Sequence, residues 1–85
     1  MSADGSIHIE FYGVLTEQAG AATLVLPLAA DTPLTAVLEQ LATAVPAVAA
    51  YLPTTACAID DAIVQRSATV SPGAKLALLP PVSGG

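Results

Sequence analysis

Lys75-Leu76-Ala77-Leu78-Leu79-Pro80-Pro81-Val82-Ser83-Gly84-Gly85 closes the chain, and its reading decides the fold. Residues 75–79 read as a short strand whose last four positions are all apolar, so both of its faces carry apolar side chains. Such a strand belongs in the middle of a sheet rather than at its rim. The two prolines that follow fix φ and remove two backbone donors, so the strand must stop at Leu79. Residues 80–85 are expected to leave the body as a stiff, extended arm, with Ser83-Gly84-Gly85 offering little side-chain bulk. A narrow arm ending in a carboxylate suits a deep slot in another protein. A frayed terminus has the same composition, so the preceding domain has to decide between them.

Upstream, Pro72-Gly73 marks a turn, and Ala56–Ile59 and Ala62–Gln65 read as short partner strands around an Asp60-Asp61 turn. Leu34, Val37, Leu38, Leu41, Ala42 and Val45 recur at three-and-four spacing, the stripe of an amphipathic helix. Asp31-Thr32-Pro33 looks like its start, with Thr32 as N-cap and Pro33 in the first helical position, and Pro46 ends it. Residues 46–55, broken by Pro46 and Pro53, read as irregular with room for one helical turn. Near the beginning, Ile7, Ile9 and Phe11 alternate with His8, Glu10 and Tyr12, and Leu24, Leu26 and Leu28 alternate with Thr23, Val25 and Pro27. These are two strands, expected to pair as a hairpin across a loop at residues 13–20. Residues 1–6 are expected to be a disordered start. The order β-β-α-β-β-β with one main helix predicts an α+β, β-grasp (ubiquitin-like) mixed sheet, its last strand central beside the first, ending in an extended C-terminal tail. A ferredoxin-like sandwich would need a second amphipathic helix, which the pattern does not supply.

At 85 residues the chain is one domain, 1–85. Cys57 is the only cysteine and His8 the only histidine, which excludes an internal disulfide and a His/Cys zinc site. Stability must come from burial, and the hydrophobic fraction of 54% allows it. Net charge is −5, with Arg66 and Lys75 the only basic residues. That speaks against nucleic acid and against an anionic membrane surface, and for a basic protein partner. The uncharged run from Gln40 to Ile59 is interrupted by two prolines and is no membrane span. Met1–Gly5 lacks the basic start and apolar run of a leader, so a cytoplasmic location is expected. Catalytic constellations are missing: His8 falls on a polar strand face, Cys57 reads as an inert core thiol, and Asp60-Asp61 as turn formers. Arg66 and Lys75 read as solvated, or as partner contacts. One helix covers one sheet face only, so Val14, Leu15, Val25, Leu79 and Val82 are candidates for an apolar patch on the uncovered side near the arm.

With these residues in place, the chain resembles the MoaD/ThiS family of ubiquitin-like sulfur carriers, over residues 7–85. The most specific part is Leu78-Leu79-Pro80-Pro81-Val82-Ser83-Gly84-Gly85, similar to the Pro-Pro-Val-x-Gly-Gly ending of family members that serve as the small subunit of molybdopterin synthase. Phe11-Tyr12 at a strand end, the Glu17…Gly20 turn and Ala58-Ile59-Asp60 support it. The resemblance implies that Gly85 is the sulfur-carrying residue. An E1-like adenylyltransferase would adenylylate its carboxylate with ATP, and a persulfide donor would supply the sulfur of a C-terminal thiocarboxylate. It further implies that Ser83 and Gly84 thread a slot in the synthase large subunit, and that Leu79, Pro80, Pro81 and Val82 lie against that partner in a heterotetramer. No cofactor would be bound by the chain itself. Glycine at the terminus leaves the carbonyl carbon open to attack. A carrier serving another pathway, a ubiquitin-like protein modifier joined through Gly85, and a non-covalent adaptor with an inert tail stand as alternatives.

Overall fold

The computed structural model describes residues 5–81. Strand β1 (Ser6–Phe11) pairs antiparallel with β2 (Thr23–Pro27), with Ile7 opposite Leu26 and Ile9 opposite Leu24. The strand read from the alternation is therefore present, and it begins at Ser6 rather than after a disordered residue 6. A pair of residues, β3 (Thr32–Pro33), precedes the main helix α2 (Leu34–Ala44). A 3-10 segment (Pro46–Thr54) follows, then β4 (Ala56–Ile59), β5 (Ala62–Val64), β6 (Thr69–Val70) and β7 (Lys75–Leu79). The five-stranded sheet runs β2-β1-β7-β4-β5, and β3 pairs with β6 in a separate small ladder.

The closing strand is central, as its apolar composition requires. β7 runs parallel to β1, Ile9 beside Leu76 and Phe11 beside Leu78, and antiparallel to β4, Cys57 beside Leu78. Ile7, Ile9, Leu76 and Leu78 on one sheet face meet Leu34, Val37 and Leu41 of α2, all fully buried. Each such side chain contributes roughly 1.5–3 kcal/mol of burial, and this layer is the core. Val48 and Leu52 of the 3-10 segment close one flank, and Val70 of β6 is also fully enclosed. The arrangement is a β-grasp: a mixed sheet curled around one principal helix.

Four local expectations are corrected. Residues 13–20 are not a plain loop but hold a short helix, α1 (Val14–Ala19), whose Leu15 is fully buried. Leu15 therefore belongs to the core and not to an exposed patch. Thr32 and Pro33 do not cap or begin α2. Pro33 is extended (φ −57°, ψ 143°), and the Thr32 hydroxyl donates to the Ala30 carbonyl at 2.8 Å. The helix's first amide is satisfied instead from across the chain, Leu34 N–H donating to the Ala68 carbonyl at 2.9 Å. The third correction concerns residues 46–55, where nearly the whole stretch is 3-10 rather than irregular with one turn. Finally, Arg66 is not a solvated cation: its guanidinium donates to the carbonyls of Leu52 (2.5 Å) and Thr55 (2.7 Å), tying down the end of the 3-10 segment.

Candidate functional site

The root of the arm is set by three strands and one turn. β7 delivers Leu78 into the core and Leu79, beside Ala56 of β4, onto the face that α2 does not cover. Pro80 follows, half-buried, and Pro81 is exposed. Pro80 is seated on Gly13, in the turn between β1 and α1. A Cβ on Gly13 would come within 3.1 Å of Pro80 Cγ, and Gly13 itself sits at φ 57°, ψ −135°, a conformation that glycine alone adopts readily. The turn is fastened by the Thr16 hydroxyl, which donates to the Phe11 carbonyl at 3.1 Å, and by the Leu15 amide donating to Tyr12 at 3.1 Å. The arm's exit is thus a built feature, with a ring packed into space that only a missing side chain leaves.

Of the residues expected to serve the site, Leu79 and Pro80 lie half-buried at this exit and Pro81 projects from it. Val82, Ser83, Gly84 and Gly85 lie outside the described residues. Strand alternation places a second element nearby. On the uncovered face, Ala77 of β7, Ala58 of β4 and Ile63 of β5 stand in one row, with Leu79 and Ala56 in the next. Ile63 is 67% exposed, the most exposed large apolar side chain described. This strip was only partly foreseen. Val25 is exposed on the same face two strands beyond β7, whereas Ile63 and Ala77 were missed. The missing signal was the hairpin register: a two-residue turn at Asp60-Asp61 pairs Ile59 with Ala62, which turns Ile63 to the side opposite Cys57.

The charged groups serve the frame. Asp60 and Asp61 both have positive φ (49° and 73°), which two-residue hairpin turns demand and aspartate tolerates. Asp60 Oδ1 accepts the Lys75 amide at 3.1 Å, and Asp61 pairs with Lys75 Nζ at 3.6 Å in solvent, where such a pair is worth little. Glu10 accepts the Tyr12 hydroxyl at 2.8 Å, and that bond with the carboxylate's charge raises the phenol above its ordinary range. Cys57 is buried, and desolvation pushes its thiol up against a smaller lowering by Arg66. A thiol so placed is a poor nucleophile. Among the described residues no three His, Cys, Asp or Glu side chains gather as a metal ion requires, and no helix is long and apolar enough to cross a membrane.

The ThiS family model matches residues 9–85. The chain belongs to the ThiS family. Solved structures agree with the fold of this ThiS-family chain. SAMP1 from Haloferax volcanii is similar at 26% identity and a TM-score of 0.85, over 95% of this chain and 100% of that one. A putative molybdopterin converting factor subunit 1 from Pyrococcus furiosus is 13% identical with a TM-score of 0.79, over 92% of this chain and 99% of that one. In a complex of subunits 1 and 2 of molybdopterin-converting factor from Helicobacter pylori, the matched chain is 21% identical with a TM-score of 0.63, over 94% and 99%. No curated protein matches. This ThiS-family domain thus shares its β-grasp fold with SAMP1 and with a converting-factor subunit 1.

Proposed function

We propose that the chain is the sulfur-carrying small subunit of a molybdopterin synthase, acting in the cytoplasm, with Gly85 as the residue that carries the sulfur. The observation that supports it most is the central strand β7 running straight into a proline arm seated on Gly13, joined to the Pro-Pro-Val-Ser-Gly-Gly ending and the family match over residues 9–85. Six residues beyond Leu79 reach at most about 20 Å, enough to place a terminal carbonyl inside a partner while the globule stays outside.

The chemistry is an acyl activation. The Gly85 carboxylate attacks the α-phosphorus of ATP on an E1-like partner, forming an acyl adenylate and releasing pyrophosphate. A persulfide sulfur then attacks the carbonyl and AMP leaves. A thiol cleaves the resulting acyl disulfide, is itself oxidised to a disulfide, and frees the thiocarboxylate. Within the large subunit, that sulfur is donated to cyclic pyranopterin monophosphate. The acidic carrier, at −5, suits a basic partner surface, and Leu79, Ala77 and Ile63 on the face beside the arm supply apolar area for docking.

Reconstitution tests this reading. Host-expressed protein should show an intact mass raised by the exchange of one oxygen for sulfur, and the loaded protein with a large subunit should convert the pyranopterin to the dithiolene. Gly85→Ala should keep the fold and lose loading or transfer. A loaded tail with no dithiolene product would remove the pterin assignment. The likeness to SAMP1 at TM-score 0.85 favours a second reading, a modifier joined through Gly85 to lysine amines. It predicts conjugates in lysate that vanish when Gly85 is deleted.

A further inference from the structure

Away from the arm, β2 leaves one side of the sheet open. In its ladder with β1, the Phe11 amide donates to the Ala22 carbonyl at 2.8 Å and the Leu28 amide to the Gly5 carbonyl at 2.6 Å. Bonded and non-bonded pairs alternate along an antiparallel ladder. Leu24 and Leu26, opposite Ile9 and Ile7, therefore turn their backbone groups toward β1. Thr23, Val25 and Pro27 turn theirs outward. The free edge thus presents the amides and carbonyls of Thr23 and Val25 and the carbonyl of Pro27, and no strand among the described residues pairs with it. The same register explains why a proline is tolerated in this strand: its missing N–H falls on the side where the ladder needs none.

Alongside that edge runs a groove of about 600 Å³. Leu26 and Pro27 form one wall, and Ala36, Gln40 and Ala44 of α2 the other. Among the described residues that line it, Glu39 alone is charged. We propose that this edge and groove accept an extended segment of a protein partner as an added strand, with an apolar side chain in the groove and a lysine or arginine beside Glu39. Main-chain bonds to Thr23 and Val25 supply affinity, and the groove with Glu39 supplies selection. A second copy of this chain suits the site poorly, because each copy would bring net charge −5 and its own Glu39 to the contact. Leu26 and Pro27 lie opposite Ile7 and Ser6, at the end of the sheet away from Leu79. A partner held here leaves the arm free to be loaded or to transfer.

The probe is a short capped peptide of alternating valine and threonine with lysine at both ends, titrated into the isotope-labelled full chain. Thr23 and Val25 amides should shift and exchange more slowly, together with shifts at Gln40 and Thr43. Val25→Pro removes an outward N–H without touching the β1 ladder, and should weaken binding about tenfold or more with unfolding unchanged. Should that variant fold poorly, Glu39→Lys on the exposed helix surface should turn the preference from a lysine-flanked to a glutamate-flanked peptide. Four results overturn the proposal: shifts confined to Ile63 and Leu79, no shift at saturating peptide, a doubling of mass through β2, or undiminished binding by a folded Val25→Pro.

Discussion

Gly13→Ala probes whether the turn after β1 sets the direction of the arm. Alanine would have to adopt φ 57°, ψ −135°, a strained conformation costing about 1–3 kcal/mol. Its Cβ would also approach Pro80 Cγ to 3.1 Å, so the ring must yield by a few tenths of an ångström. Against these stands the lower entropy of the unfolded alanine chain, worth about 0.4–1 kcal/mol. Strain wins, and the net loss is about 2 kcal/mol, which for a domain of this size lowers Tm by roughly 8–16 °C. Thermal unfolding reads the total. The share belonging to the arm is read by repeating the substitution in a Pro80→Ala background, where removal of the ring should recover about 0.5–1 kcal/mol. On the activating enzyme proposed above, the same variant should load more slowly, because the seat of Pro80 is disturbed. A Tm change below about 2 °C would refute the strain argument. An equal loss in both backgrounds would refute the contact between Pro80 and Gly13.

Other outcomes follow from side chains whose roles the fold assigns. Arg66→Met should cost about 2 kcal/mol by urea unfolding, since it abandons two carbonyls at the end of the 3-10 segment; Arg66→Lys should recover little, lacking the fork that reaches both. Ile63→Asp should alter stability by less than about 1 kcal/mol because the side chain is 67% exposed, yet should weaken binding to the large-subunit partner proposed above, measured by calorimetry. Cys57 keeps its proton to higher pH in the folded state than in the unfolded one. Its contribution to stability is complete below the ordinary thiol value of about 8.5 and is lost as pH rises through the raised folded value. Cys57→Ala should therefore flatten part of the alkaline decline in stability and leave the proposed sulfur loading unchanged.

The large elements were legible because their residues are governed by burial. Alternation in β1 and β2 and the Leu34-Val37-Leu38-Leu41 stripe follow from facing one core, and the apolar run at residues 76–79 placed β7 centrally. What escaped was governed by partners remote in sequence. Asp31-Thr32-Pro33 carries the local chemistry of a helix start, yet pairing of Thr32 with Val70 and the Ala68 carbonyl on Leu34 pull it into a strand. Helix α1 is six residues long, too short for a period to show, and only its contact with the core through Leu15 makes it form. Arg66 looked solvated because nothing local predicts two carbonyls eleven and fourteen residues away. At the arm, the prolines announced the exit of the chain, whereas the seat on Gly13 required a φ that sequence does not display.

The central position of β7 has a mechanical consequence. It is held by β1 on one flank and β4 on the other, and the sheet ends on it at Leu79. Drawing β7 out of the sheet therefore has to break two ladders, where an edge strand would break one. Handling of the residues beyond Leu79 is thereby uncoupled from unfolding of the domain that carries them.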